Sequence, residues 1–231
     1  MAELTAFFAS LDSALFIALP YVAIFTFFWV SIQRYRKAPF TVSSLSSQLL
    51  ENKKNFWAVV PFHFGILFVF FGHLVAFLVP RAILGWNDHP IRLYILEITA
   101  LSAGILAVVG MLGLITRRIS DPKLRVVTSR LDMLLYTLLL IQLVSGVAVA
   151  IVHPWGSTWF ATSMTPYLWS LVRFQPDVSV IATLPWLIKL HVIGAFLVIL
   201  LFPFTRLMHV LVAPLPYLWR KPQVVRWYGR G

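Results

Sequence analysis

Residues 61–80 read PFHFGILFVFFGHLVAFLVP, a run with no acid, lysine or arginine in which His63 and His73 are the only titratable side chains. A helix needs about 20 apolar residues to cross the hydrocarbon core of a bilayer, so this stretch predicts a membrane span. Ionisable side chains are costly at that depth and face a partner, a cavity or a cofactor rather than lipid. Two imidazoles in one span therefore call for a partner, a cavity or a cofactor. A second apolar run near the C-terminus carries two more, His191 and His209.

Apolar runs at about 14–32, 56–79, 93–115, 131–152 and 187–212 predict an all-α integral membrane bundle of five transmembrane helices. Sixty per cent of the 231 residues are hydrophobic and 12% charged, with a mean hydropathy of +0.85. Those values lie far from a soluble domain. No stretch between the runs is long enough to fold separately, so residues 1–231 are expected to form a single domain. Ahead of the first run stand only Glu3 and Asp12, the wrong charge for a secretory leader, so span one is expected to be retained.

The chain has no cysteine. Disulfides, a cysteine-ligated iron-sulfur cluster, a thiol nucleophile and the attachment motif of c-type haem are thereby excluded. The net charge of +11 could suggest nucleic acid, but the basic residues gather at span ends and not in a soluble module. Fifteen of the 19 lysines and arginines fall on one side, among them Arg34, Arg36, Lys37, Arg117, Arg118, Arg206, Arg220 and Lys221; Arg81, Arg92, Arg173 and Lys189 fall on the other. The positive-inside rule then puts the N-terminus outside and the C-terminus in the cytoplasm. Residues 153–185 form the longest loop, and its Trp155, Trp159, Tyr167 and Trp169 suit the membrane–water boundary.

Spans two and five cross in opposite directions, so their histidines can be matched by depth. His63 pairs with His209 near the cytoplasmic face, and His73 with His191 nearer the outer face. Two facing helices can present imidazoles to opposite faces of a porphyrin iron, which makes the four residues candidate axial ligands of two b-type haems. The spacing is unequal: ten residues from His63 to His73 rise about 15 Å, whereas eighteen from His191 to His209 rise about 27 Å. Helix tilt, the porphyrin's width and a kink at Pro203 are expected to absorb the difference, with iron centres roughly 20 Å apart.

Other residues carry two readings each. Arg206, three residues before His209, is a candidate haem-propionate partner, with snorkelling to the surface as its competitor; Arg118 is a second candidate. Gly65, Gly72 and Gly194 make room either for a macrocycle or for close helix packing. Glu97 and Asp132 lie near span ends where water reaches, and Asp132 suits the first turn of span four. His89 and His153 read as loop residues. A proton-linked transporter would require carboxylates deep in its spans, and a cofactor-free anchor would lack haem.

The motifs Phe62-His63-Phe-Gly65-Ile-Leu, Gly72-His73, Lys189-Leu-His191 and Phe202-Pro203-Phe-Thr-Arg206-Leu-Met-His209 resemble the gamma subunit family of respiratory nitrate reductase. The likeness extends to Ser46, Ser47 and Gln48 after span one, Arg117-Arg118 after span three and the Arg220-Lys221 tail. It implies a dihaem cytochrome b in the cytoplasmic membrane. Such a subunit oxidises quinol from the membrane pool near the outer haem and passes electrons inward to an iron-sulfur beta subunit and a molybdenum catalytic alpha subunit. It performs no nitrate chemistry itself. The family's quinol-site lysine is missing from the loop before span three, where this chain offers His89, Arg92 and Tyr94; with Gly72 these are the quinol-site candidates. A related cytochrome b of a sulfur-metabolism or heterodisulfide-reductase-like complex is the nearest alternative.

Overall fold

A computed structural model describes residues 11–42 and 55–211. Glu3, Ser46, Ser47, Gln48, Lys53, Lys54, Arg220, Lys221, Arg226 and Arg230 lie outside the described residues. The helices are α1 (Leu19–Lys37), α2 (Asn55–Leu78), α3 (Pro80–Asn87), α4 (Pro90–Ser120), α5 (Pro122–Val126), α6 (Arg130–Val152), α7 (Gly156–Trp159), α8 (Thr165–Val172), α9 (Ser179–Ala182) and α10 (Trp186–Leu201). Five helical stretches are long and apolar enough to cross a membrane: Leu11–Lys37, Phe56–Leu78, Pro90–Ser120, Arg130–Val152 and Trp186–Phe204. The chain is a multi-pass membrane protein. Each stretch covers most of an expected span, and spans one and three run further at both ends.

Neighbours pack in the order α2, α4, α6, α10, α1. The closest approach is between α2 and α4, where glycine removes the side chain from both surfaces. A Cβ on Gly65 would lie 2.5 Å from the Ala103 carbonyl oxygen, and one on Gly110 would run into the Phe62 backbone. Gly65 thus serves helix packing, the small-residue device that lets backbones meet in a membrane. Outward-facing Phe25, Phe64, Phe68 and Ile98 are exposed along the spans, as side chains against lipid should be.

Span five departs from a simple rod. Its α-helix stops at Leu201, Phe202–Phe204 tightens to a 3-10 turn, Thr205 is extended, and Arg206–Leu211 forms a second 3-10 segment. Pro203 is the cause, since it has no N–H to donate and its ring clashes with the carbonyl one turn earlier. The expected helix through residue 212 is therefore a helix to Leu201 followed by a detached segment that carries His209. Arg34 at the end of α1 clasps the break: its Nη1 donates to the carbonyls of Pro203 (2.8 Å) and Thr205 (3.1 Å). The rest of the fork holds Thr41 through its hydroxyl and carbonyl oxygens.

The long loop also differs from a strip lying on the bilayer surface. It folds back as α7, a π-helical turn at Phe160–Met164, α8 and α9, and its inner side joins the core through Met164, Tyr167, Leu171 and Ile181. Tyr167 is 1% exposed. Its hydroxyl donates to the Phe16 carbonyl (2.7 Å), whose usual helical donor one turn later is missing because that residue is Pro20. Burial pushes the phenol well above its ordinary range, so it stays a donor. Trp169 and Thr165 donate to the carbonyls of Phe77 and Ala76 at the end of α2.

Candidate functional site

The structure brings His63 to His209 and His73 to His191. The ring centroids are 6.4 Å apart in the first pair and 6.5 Å in the second, with interplanar angles of 62° and 45°. An imidazole nitrogen sits about 2.0 Å from a bound transition metal, so two rings on opposite faces of one metal place their centroids about 6 Å apart. The two separations leave that room.

Protonation follows from the hydrogen bonds. His63 Nδ1 meets the Val59 carbonyl at 2.8 Å and His73 Nδ1 the Val69 carbonyl at 2.9 Å, each one turn back on α2. His209 Nδ1 meets the Arg206 carbonyl. A carbonyl only accepts, so each neutral ring carries its proton on Nδ1 and has a bare lone pair on Nε2. This is the arrangement of a metal-ligating histidine, whose second nitrogen donates to a fixed acceptor. His191 Nδ1 instead meets a hydroxyl, Ser145 Oγ at 3.0 Å, which is able to accept the same proton.

The donor set fits a haem. Among the described residues no group of three or more His, Cys, Asp or Glu gathers as a metal cluster. The sites are pairs, and a pair of imidazoles suits a group that brings its own equatorial ligands, as a porphyrin does. At the His73–His191 pair the Gln142 Nε2 stands 3.4 Å from His191 Nε2, too far for a good hydrogen bond. The buried Gln142 Oε1 has no partner among the described residues. Gly72 leaves open space for a Cβ beside His73, and the Phe160 ring closes edge-on at 5.2 Å.

The His63–His209 pair has a charged surround. Asp132 and Arg206 form a two-bonded ion pair (Nε–Oδ1 and Nη2–Oδ2, both 2.8 Å) with side chains 10% and 12% exposed. Asp132 also closes a capping box with Ser129 at the start of α6. It is thus a buried clamp and not a solvated span end, and the fork proposed for a propionate faces Asp132. Arg118 lies over the Tyr136 ring at 5.2 Å and donates to Thr128 Oγ1.

The four quinol candidates have separate neighbours. His89 is exposed just before α4; Arg92 lies over Trp86 and donates to the Gly85 carbonyl; Tyr94 meets Trp155 edge-on. Glu97, expected to be solvated, accepts from the backbone N–H and hydroxyl of Ser157. Asn87 donates to Ser157 and Thr158. Loop residues 155–160 therefore tie Tyr94 and Glu97 to the same cover that closes over His73. Sequence reasoning missed Gln142, Ser145, Gly146, Phe160 and Arg34; the spacing of Met164, Leu168 and Leu171, which keeps to one helical face, was the available sign that the loop folds inward.

Residues 12–228 match the nitrate reductase gamma subunit family. The chain belongs to that family. It is 34% identical to the nitrate reductase gamma chain of Bacillus subtilis (strain 168), covering 90% of this chain and 95% of the relative. It is 32% and 31% identical to the respiratory nitrate reductase 2 and 1 gamma chains of Escherichia coli (strain K12), over 90% of this chain and 93% of each. Coverage of this order places the histidine-bearing spans and the folded loop inside the shared region.

Proposed function

We propose that this chain is the dihaem cytochrome b subunit of a respiratory nitrate reductase, which oxidises membrane quinol and passes its electrons across the membrane to an iron-sulfur partner. The observation that carries the reading is the pairing of the four histidines, His63 with His209 and His73 with His191, at ring separations that leave room for one metal between each two, with each Nδ1 held by an oxygen. His63 and His209 hold one b-type haem and His73 and His191 the other; when bound, these haems supply one-electron carriage between the two faces. The names of the relatives favour nitrate as the terminal acceptor over a sulfur compound.

The fifteen-to-four distribution of basic residues supports an N-terminus outside and a cytoplasmic C-terminus. The His73–His191 pair then lies nearer the outer face, where quinol would approach past Gly72 and the loop carrying Phe160, with His89, Arg92 and Tyr94 at the rim. The His63–His209 pair lies nearer the cytoplasm, on the side that carries the exposed basic residues Arg36, Lys37, Lys123, Arg125 and Arg130, against which an iron-sulfur subunit and, through it, a molybdenum subunit would stand.

The test is a reduced-minus-oxidised spectrum of membranes containing the full complex, followed by redox titration and a quinol-to-nitrate assay. Two b-type components reduced by quinol are expected. Absence of b-type haem would overturn the reading, and haem that quinol fails to reduce would overturn the assignment of substrate.

A further inference from the structure

We infer that span four carries a built cradle for His191: Ser145 fixes its tautomer, Gly146 admits its ring, and together they set the reduction potential of that centre independently of the other. The inference rests on His191 being an axial ligand, as proposed above.

Three of the four histidines take their Nδ1 acceptor from a carbonyl of their own chain turn, at Val59, Val69 and Arg206. His191 alone among them uses a side chain from another helix. Ser145 on α6 is 5% exposed, and its hydroxyl donates to the Gln142 carbonyl at 3.0 Å. With its only proton spent there, Oγ meets His191 Nδ1 as an acceptor at 3.0 Å, so the proton sits on Nδ1 and Nε2 is left bare. The neighbouring residue completes the seat. A Cβ on Gly146 would come within 2.8 Å of His191 Cε1, closer than real side-chain contacts allow, so the ring rests directly on the α6 backbone.

The consequence is electronic as well as steric. An acceptor on the distal N–H raises the basicity of a ligating imidazole, and a more basic axial ligand favours ferric over ferrous iron, which lowers the potential. A backbone carbonyl gives this effect at the other three positions and no substitution there removes it. At His191 it hangs on one hydroxyl. Ser145 is thus a positioning residue, acting through His191.

The experiment titrates both b-type components spectroscopically in membranes holding the full complex, with His73→Ala identifying which component belongs to the His73–His191 pair. Ser145→Ala is expected to weaken the ferric preference of that component about tenfold, an upward shift of about 59 mV for one electron, and to leave the other component in place. Ser145→Thr retains the hydroxyl and should titrate near wild type. Gly146→Ala should displace the ring and convert the same component to a high-spin spectrum or lose it. If Ser145→Ala moves neither component or both equally, or if the threonine variant behaves like alanine, the cradle is overturned while the two-haem reading stands. A wild-type chain without b-type haem overturns both.

Discussion

The two histidine pairs are alike in ring separation and in tautomer, yet they are supported in different ways. His73 and His191 stand on unbroken helices, α2 and α10, so the backbone fixes where they are and span four has only to orient one ring. His63 also stands on α2, but its partner His209 lies beyond the break at Pro203, on a short 3-10 segment. A segment of that length does not hold itself. Its position comes from tethers: Arg34 on its leading carbonyls, Asp132 on Arg206, and the Ser31 hydroxyl on Met208 Sδ at 3.4 Å. One centre is thus set by helix geometry and the other by polar contacts. Substitutions far from the histidines should reach the second much more readily than the first.

The largest effects remove a proposed haem ligand. His209→Ala should abolish the component assigned to the His63–His209 pair, and His191→Ala the other, each leaving one titrating b-type haem and stopping quinol-to-nitrate electron flow. Loss of both components from either single change would mean that the pairs are not independent, and the contrast would fail. Next comes Asp132→Ala. It leaves the Arg206 guanidinium buried without its carboxylate, a change that typically costs about 3–5 kcal/mol. Because Arg206 also supplies the carbonyl acceptor of His209, the cost should appear as earlier thermal bleaching of the His63–His209 component. Equal bleaching of the two components would show that the tether does not act locally.

Much of this contrast was legible in the sequence, and the part that was not has physical reasons. Depth matching of His63 with His209 and His73 with His191 needs only span boundaries and alternating direction, both of which are written in the apolar runs. The mismatch between ten and eighteen residues made a kink at Pro203 one of three expected remedies, beside helix tilt and the porphyrin's width, and span five does break there. Its form was hidden, because a proline can kink a helix or end it, and the outcome depends on whether a donor such as Arg34 is near to take the freed carbonyls. Asp132 read as a solvated span end since its partner, Arg206, is 74 residues away and the two meet only after α6 and the broken span are packed. Ser145 and Gly146 look like ordinary small residues in an apolar helix. The loop's tryptophans and tyrosine fit a membrane boundary and a buried cover equally well by composition.

Arg34→Ala tests the break itself at a smaller scale. It would strip donors from the carbonyls of Pro203 and Thr205 and from Thr41, with an expected cost of about 1–3 kcal/mol for the buried acceptors left unpaired. The spectrum of the His63–His209 component should broaden or bleach earlier, while the His73–His191 component holds. Arg34→Lys should recover little, since an ammonium presents no planar fork with which to serve both carbonyls and Thr41 together.

The smallest expected effect comes from the ion pair that looks most like Asp132–Arg206 on paper. Lys189 Nζ meets Asp12 Oδ2 at 2.9 Å, joining the start of span one to the start of α10, two residues before His191. Its side chains are 23% and 27% exposed, about twice the values at Asp132–Arg206. A single contact between partly hydrated groups contributes less than about 1 kcal/mol, and Lys189 keeps the face of the Phe16 ring, 6.0 Å from its centroid, when the carboxylate is gone. The position of His191 is already fixed by α10 and the Ser145–Gly146 seat. Asp12→Asn should therefore leave both b-type components unshifted and lower the bleaching temperature by a degree or two at most. A shift of the His73–His191 potential in that variant would mean that this centre, too, depends on a tether, and the division between a helix-set and a contact-set haem site would no longer hold.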